Sequence, residues 1–409
     1  MFLRSEKSVE SIFLLVFRQI AVSLFLIKDL EECLTRLGHT YKCIEANVIV
    51  EQSDDDFCAL FDIEMESGHY DCVFTFNYSS IISDCMVKYN IPYISFVYDS
   101  PMYRLFTKSI YNKCNYCFIF DEQLCEQLTN MGAPHIYYMP LSVNVSRLDR
   151  MEDILQYTDN KDVRELIQLF STQISFLGSM YNERESQKEY DEMDLTPYMR
   201  GYLEGIMNAQ LKVYGYNFLG ELTKGGVFDE AYSKDVNITY GEIFADGILC
   251  KKMANIERVQ ILEKLSQIFQ VKLYTPNATP ELPNVINMGS VNYYDMMPYV
   301  FKCSDINLNI TLRSIKTGIP LRAMDIMGAG GFLMSNYQAD FYRHFVPGED
   351  LVLYESHDDL VNKCQYYLSH DAERRQIAAN GYGKVKEFHN FEVRFNEIFD
   401  IVFNRKKEV

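Results

Sequence analysis

The strongest constraint in this sequence is an alternation. Between Ile12 and Met139, short runs that are apolar at nearly every position come between segments whose apolar residues recur at three- and four-residue spacing. The runs are Ile12–Phe17, Tyr41–Ile44, Cys72–Phe76, Tyr93–Val97, Tyr116–Phe120 and Ile136–Met139. The intervening spacing is helical, as in Ile81, Ile82, Cys85 and Met86, or in Leu124, Leu128 and Met131 before Gly132. A strand with no polar face has to be covered on both sides. The pattern therefore predicts a parallel sheet between helices, a doubly wound α/β domain.

A polar stretch from Ser146 to Asp162 interrupts the pattern, which then resumes. The spacing predicts a strand over Ile174–Leu177 and a helix over Leu195–Val213, entered through Thr196-Pro197 as N-cap and first helical residue. A helix over Ile256–Phe269 and a strand over Val271–Tyr274 follow. Short apolar runs lie at Val285–Met288, Ile306–Ile310 and Phe332–Met334, with helix over residues 360–385 and Phe391–Phe403. The expected organisation is a first domain over residues 1–150, a linker over 151–170, a second domain over 171–385 and a terminal helix over 386–409. Two such domains place a cleft where the carboxyl ends of both sheets meet, and that cleft is the expected binding site.

The 17-residue run Ser11–Ile27 is too short to cross a bilayer comfortably and carries Arg18-Gln19 at its middle. It is read as a buried strand, a short loop at Arg18-Gln19 and a helix stopped by Gly38. With no targeting segment read there, the expected location is the cytoplasm. Eleven scattered cysteines fit reduced thiols. Cys114-x-x-Cys117 lacks a second ligand pair for zinc, and Cys117 reads as a small core residue.

With 39 Lys+Arg against 57 Asp+Glu, the chain carries a formal charge of −18. That balance excludes nucleic-acid binding and disfavours an anionic membrane surface. Residues 1–160 hold 12 Lys+Arg against 23 Asp+Glu, which argues against an anionic lipid as substrate. Residues 302–324 invert the balance, with Lys302, Arg313, Lys316 and Arg322 against Asp305 alone. Here a strand end, a loop with Thr317 and Gly318, and a helix opening at Ile319-Pro320 place cations beside a helix N-terminus, a combination suited to a diphosphate. Asp99, at the end of a central strand and before Ser100-Pro101, faces the cleft or else caps the next helix. Asp54-Asp55-Asp56 superficially matches a metal-binding Asp-x-Asp, but reads as the acidic first turn of a helix. No metal is required.

At this stretch the chain resembles the GT-B-fold glycosyltransferases, and most closely their CgeB-like (spore maturation protein) group with a glycosyl transferases group 1 C-terminal domain. The resemblance rests on Tyr98-Asp99-Ser100-Pro101, Met139-Pro140-Leu141-Ser142-Val143-Asn144, Phe176-Leu177-Gly178-Ser179-Met180-Tyr181 with Arg184, Gly318-Ile319-Pro320-Leu321-Arg322 and Asn380-Gly381-Tyr382. These cover residues 70–390. It implies two Rossmann-like domains facing across a cleft, with the last helix crossing back to the first domain. It also implies transfer of a hexosyl group from a nucleoside-diphosphate sugar, a UDP-sugar favoured, to a protein or glycan hydroxyl, with no cofactor and no stable membrane insertion.

Gly178, Ser179, Arg184, Arg313, Lys316, Thr317 and Gly318 would contact the donor diphosphate, with Arg322 stabilising the leaving charge and Asp325 holding the ribose diol. Gly289, Ser290, Val291 and Tyr293 would wall the base. With no tryptophan in the chain, Tyr98, Tyr293 and Tyr294 are the rings available for stacking. Asp99 would serve as general base in an inverting reaction, or touch the donor sugar in a retaining one. Relatives carry a Glu-x7-Glu pattern whose places fall here on Thr317 and Asp325. The missing first carboxylate leaves room for a non-catalytic sugar-nucleotide-binding protein. An epimerase or a phosphorylase on the same fold is the other alternative.

Overall fold

The computed structural model describes residues 11–19, 24–46, 55–150, 161–182, 190–223 and 237–404. The first alternation builds β1 (Phe13–Gln19), α1 (Leu24–Leu37), β2 (Thr40–Ala46), α2 (Asp55–Ser67), β3 (Cys72–Phe76), α3 (Ser80–Met86), β4 (Tyr93–Val97), β5 (Asn115–Ile119), α4 (Glu122–Asn130) and β6 (Ile136–Tyr138). The strands form one parallel sheet in the order β2-β1-β3-β4-β5-β6. Every position of β3 and β4 is buried, because both faces are covered. Leu15, Val73, Val97 and Ile119 meet Phe61, Ile82 and Leu124 of α2 to α4. Their neighbours Leu14, Phe74, Phe96 and Phe118 point the other way, toward Leu30 and Leu34 of α1.

The chain continues through α5 (Val145–Arg150), α6 (Lys161–Phe170), β7 (Thr172–Leu177), α7 (Pro197–Gln210), α8 (Leu219–Leu222) and α9 (Tyr240–Ile243). A π-helical turn, Phe244–Leu249, feeds α10 (Cys250–Ser266). Then come β8 (Val271–Tyr274), β9 (Ile286–Asn287), α11 (Met297–Cys303), β10 (Ser304–Asn309), α12 (Leu321–Gly328), β11 (Leu333–Asn336) and α13 (Phe341–His344). The last elements are β12 (Val352–Tyr354), α14 (His357–Ser369), α15 (Asp371–Phe388) and α16 (Phe391–Phe399). The second sheet is also parallel, in the order β12-β11-β10-β7-β8-β9.

Two segments cross between the halves, side by side. Val143 pairs with Asn390 in an isolated parallel bridge, held by Val143 N–H to His389 O (3.2 Å) and Phe391 N–H to Val143 O (3.1 Å). Val145 and Leu148 of α5 enter the second core beside Met324 and Met327. In the opposite direction, Phe391, Phe395, Ile398 and Phe399 of α16 fill the first core. The crossing is tight: a Cβ on Gly328 would lie 2.6 Å from Val143 Cγ2 and 3.3 Å from Leu148 Cδ1, so glycine lets α12 approach the segment that leads into α5. The terminal helix thus crosses back to the first half as expected.

The structure corrects several local expectations. Arg18 and Gln19 form no loop: β1 runs through them, and Arg18 is tolerated because its guanidinium pairs with Glu45 on β2 (2.5 Å). The single helix expected over 360–385 is two helices that break at His370. α10 begins at Cys250, six residues before the expected Ile256, because the π-helical turn runs straight into it. β12 was not expected, and the run Val285–Met288 contributes only two strand residues. Helix α16 ends at Phe399, with a π-helical turn after it. Other signals held: Gly38 follows α1 at φ +78°, and Thr196 caps α7 by accepting a hydrogen bond from Met199 N–H (3.2 Å). Cys117 is buried in the first core, and all eleven cysteines are free thiols.

Phe395 is fully buried against Phe74 and Phe96, ring centroids 5.6 and 6.3 Å away. Phe395→Ala should cost about 3–5 kcal/mol, the range for an aromatic truncated in a closed core. Urea unfolding followed by tyrosine fluorescence should show that loss. A midpoint unchanged from wild type would mean that α16 does not anchor the first sheet.

Candidate functional site

At the carboxyl end of β4 stands Asp99. Its Oδ2 accepts a hydrogen bond from Asn77 Nδ2 (2.7 Å), while Asn77 Oδ1 accepts from the Tyr98 and Asp99 amides (2.8 and 3.1 Å). Asn77, at φ +59°, therefore clamps the turn. Asp99 caps no helix: the 3₁₀ turn that follows, Tyr103–Phe106, has no side-chain cap. Asp99 is exposed, and partial desolvation by the protein beside its carboxyl raises its pKa above the usual carboxylate value. Tyr98, by contrast, is a core residue set edge-on to Phe76 and Phe96, so it offers no stacking platform.

The loop after β10 is docked onto the other half of the molecule. Lys316 N–H donates to Asp121 Oδ2 (2.7 Å), and the Thr317 hydroxyl donates to Asp121 Oδ1 (3.1 Å) and accepts from Gln123 N–H (3.3 Å). Asp121 also caps α4 by accepting from Leu124 N–H (3.3 Å). Gly318 is there because the chains touch: a Cβ would lie 2.7 Å from the Phe120 ring and 3.0 Å from its carbonyl oxygen. A second cluster flanks the contact. Asp340 N–H donates to Thr317 O (3.1 Å), Tyr138 OH donates to Asp340 Oδ2 (3.1 Å), and Arg343 pairs with Glu122. Burial, with Asp121 nearby, pushes Asp340 up to about 6.

Asp325 is the fifth residue of α12, a helix whose N-cap, Pro320, provides no side-chain cap. Only 2% exposed, it accepts from Tyr293 OH on Oδ1 (2.6 Å) and from Arg322 Nη1 on Oδ2 (3.1 Å). Burial raises its pKa to about 6 against the pull of Arg322. Tyr293 brings the loop after β9 to this carboxylate. In that loop Gly289 takes φ +74°, Ser290 is exposed and Val291 packs on the second core. Two residues 32 positions apart in sequence, read separately for base and ribose, thus meet through one hydrogen bond.

The remaining expected contacts divide. Gly178 and Ser179 follow β7, where the Ser179 hydroxyl lies 3.4 Å from Asn277 Oδ1 and accepts from Tyr181 N–H (2.9 Å). Arg184 lies outside the described residues. Arg313 is corrected: its guanidinium is buried, pairs with Glu257 (2.7 Å) and lies over the Tyr214 ring (4.2 Å), so it belongs to the core and does not face a diphosphate. Asp55 and Asp56 lie in the first turn of α2, and Asp54 is outside the described residues. Among the described residues no group of three or more His, Cys, Asp or Glu side chains could hold a metal ion, and no helix is long and apolar enough to cross a membrane.

The sequence reading missed four groups. Arg258 lies between Phe176 and Tyr181, donating to Ser179 O and to Ile310 O (2.7 Å), and so ties the ends of β7 and β10 together. Arg147 pairs with Asp29 of α1 and donates to Tyr294 O (3.1 Å). Asp121 and Asp246 both face the contact between the halves. The partners of Arg258, Arg147 and the Asp121–Lys316 contact lie about 50 to 200 positions away in the chain, so only the helix-capping place of Asp121 has a local mark.

A protein-family model described as glycosyl transferase-like matches residues 258–400. No curated protein matches the chain. Solved structures resemble it over nearly its whole length, among them the following three. The α,α-trehalose 6-phosphate synthase of Burkholderia multivorans is 9% identical, covering 98% of this chain and 100% of its own, with a TM-score of 0.58. Sucrose-phosphate synthase from Thermosynechococcus elongatus is also 9% identical, covering 97% and 100%, with a TM-score of 0.54. Anabaena HepE in complex with UDP and glucose is 8% identical, covering 96% and 100%, with a TM-score of 0.54. The architecture is GT-B, two Rossmann-like parallel-sheet domains facing across a cleft.

The Asp325 environment gives a pH signature. Its carboxyl holds a proton up to about 6 in the fold and only to about 4 in the unfolded chain, so between those values the folded state binds more protons. Its destabilising charge is present above pH 6 and is relieved as pH falls toward 4. His344 and His389, lowered to about 4 and about 3 by burial, act in the opposite sense. The difference between variant and wild type isolates Asp325. The stability of Asp325→Asn relative to wild type should fall, by on the order of 2 kcal/mol, between pH 7.5 and pH 4.5 in urea titrations. A constant difference would show that Asp325 is not a buried, charged carboxylate.

Proposed function

We propose that the chain is a glycosyltransferase that takes a hexosyl group from a nucleoside-diphosphate sugar, a UDP-sugar favoured, and gives it to a protein or glycan hydroxyl without a metal. The observation that carries the reading is the joining of Tyr293, Asp325 and Arg322 at the first turns of α12, within the stretch that matches the glycosyl transferase-like model. The structure of Anabaena HepE with UDP and glucose supports a UDP-sugar as donor. Kinship within the CgeB-like group rests on the segments quoted above, and a cytoplasmic location on the reduced cysteines.

The site residues then have distinct tasks. Transfer leaves a nucleoside diphosphate whose charge grows as the glycosidic bond breaks. Arg322, the Lys316 ammonium and the uncapped N-terminus of α12 are the groups to stabilise it. Gly178 and Ser179 would approach the diphosphate from β7. Asp325 would accept hydrogen bonds from the ribose diol once Tyr293 yields, with Gly289, Ser290 and Val291 along the base. Asp99, held by Asn77 with a raised pKa, is the group to take the acceptor's proton in an inverting reaction.

A second reading, a sugar-nucleotide-binding protein without turnover, has one observation in its favour. Thr317, at the place of a family carboxylate, is engaged by Asp121.

A thermal-shift panel of UDP, GDP and TDP sugars should show stabilisation, strongest for a UDP-sugar. Arg322→Ala and Asp325→Asn should each weaken nucleotide binding about ten- to a hundredfold, the equivalent of one charge-assisted hydrogen bond. If no nucleotide stabilises the protein, the proposal fails. Binding with no release of free nucleotide from the sugar donor would decide for the second reading.

A further inference from the structure

Between the halves lies a cavity of about 250 Å³, separate from the Asp325 cluster. Ser100 to Phe106 after β4 and Gln123 and Gln127 of α4 line it from one side. Tyr216 to Glu221 and the π-helical turn line it from the other, with Ser314 and Lys316 after β10. It therefore sits at the carboxyl ends of strands from both sheets, where open α/β folds bind ligands. The halves are tied around it: Ser314 Oγ donates to Ser100 O (3.3 Å), Asn237 N–H to Phe106 O (2.7 Å) and Tyr103 OH to Ile243 O (3.4 Å). The volume is just under the ~300 Å³ at which pockets for drug-sized ligands begin. That is the scale of a single sugar-sized group.

Among the described residues the lining is acidic: Glu221, Glu242 and Asp246 face it, with Lys316 as the one cation. Two of the three carboxylates are already engaged. Glu242 closes the capping box of α9 with Thr239, and Glu221 accepts from Tyr216 OH (2.6 Å). Asp246 is not. It is part-buried in the cavity wall, and among the described residues its carboxylate has no hydrogen-bond partner. A part-buried carboxylate that lines a cavity and meets no protein donor is free to accept a hydrogen bond from a ligand. It is placed by a π-helical turn, a distortion that recurs at functional sites.

We propose that this cavity is the acceptor subsite, that Asp246 receives a hydrogen bond from an acceptor hydroxyl or amine, and that the subsite takes neutral or amine-bearing polyhydroxyl groups and rejects sugar phosphates. The proposal rests on the glycosyltransferase reading and specifies its second substrate. A phosphate dianion here would lie beside three carboxylates, with Lys316 the one cation among the described lining residues to offset them, which is repulsive. Hydroxyls and an ammonium group suit the same lining, with Gln123 and Gln127 able both to donate and to accept.

The charged and titratable groups that act with Asp246 are Lys316 after β10, Glu242 on its own segment, Asp121 at the start of α4, Tyr103 after β4 and Cys250 on α10. Burial first, then Glu242 and Asp121, hold its carboxyl near 6, with Lys316 acting against them.

The test uses the full chain and the UDP-sugar giving the largest thermal shift, with UDP release measured alone and with methyl glucoside, glucosamine or glucose 6-phosphate. UDP release without acceptor reads the donor side alone, so failure of the glycosyltransferase reading is distinguishable from failure of this one. Methyl glucoside or glucosamine should raise UDP release about tenfold or more, and glucose 6-phosphate should not. Asp246→Asn should abolish most of that stimulation while leaving acceptor-independent release within about twofold, and should remove an acid limb near pH 6 from the stimulated rate. Asp246→Ser should behave alike if Asn perturbs the turn. Stimulation by glucose 6-phosphate equal to or above the others, stimulation by none of the three, or full stimulation in the Asp246 variants would overturn the proposal.

Discussion

The relation between the two halves depends on one buried ion pair. Arg147 of α5 lies 2.8 Å from Asp29 of α1, and both are almost fully removed from water. Two charges in such a place are stable only when their remaining hydrogen-bonding capacity is used. It is used across the molecule. Asn144 Nδ2 donates to Asp29, Arg147 donates to the Tyr294 carbonyl, and the guanidinium lies 4.5 Å from the Tyr294 ring centroid and 5.5 Å from that of Tyr293. Tyr294 OH then reaches back to Glu32 on α1 (2.7 Å). The pair thus fixes α1 of the first half against the loop of the second half that carries Tyr293 to Asp325. Loss of either partner would leave a charge stranded between the domains, at a cost of about 3–5 kcal/mol.

Around that pair the crossing segments make the cleft a property of the whole chain. Each core contains residues from the other end of the sequence, Val145 and Leu148 in one and Phe391 to Phe399 in the other. Two sheets joined by a single linker would be free to drift apart. Two reciprocal insertions, bridged at Val143 and Asn390, tie the halves together. Loops at the carboxyl ends of the strands then face each other at a limited range of distances. Asp99, Asp121, Asp246 and Asp340, all with raised pKa values, come from both halves to this shared region, where protein on two sides replaces water.

The sheets were legible in the sequence because burial on both faces makes a strand apolar at every position, a signal carried within five residues. Cys72–Phe76, Tyr93–Val97 and Val271–Tyr274 match their expected bounds for that reason. Edge strands such as β12, three residues long, carry too little of that signal. Arg18 misled because a charge in a strand is tolerated when a neighbouring strand supplies Glu45, a fact of register and not of local composition. The site was half legible. Proximity of Asp325, Arg322 and Gly318 along one helix start is a local pattern, whereas the partners that decide each side chain's role are remote.

That distinction changes the meaning of the basic stretch over residues 302–324. Along the sequence it is a surplus of positive charge; in the fold most of it is matched. Arg313 belongs to Glu257, Arg322 leans on Asp325, and the Lys316 backbone meets Asp121 while its ammonium offsets Asp246. A chain of formal charge −18 cannot leave cations unscreened beside so many carboxylates. The diphosphate reading therefore does not require a standing positive patch. It requires cations that can change partners, and Arg322 and Lys316 qualify because both are only partly buried, while Arg313 in its closed pocket does not. Moving Arg322 from Asp325 to a phosphate would also free one oxygen of that carboxylate for a hydroxyl. A nucleoside diphosphate, which brings both groups on one molecule, is the kind of ligand for which that exchange of partners is balanced.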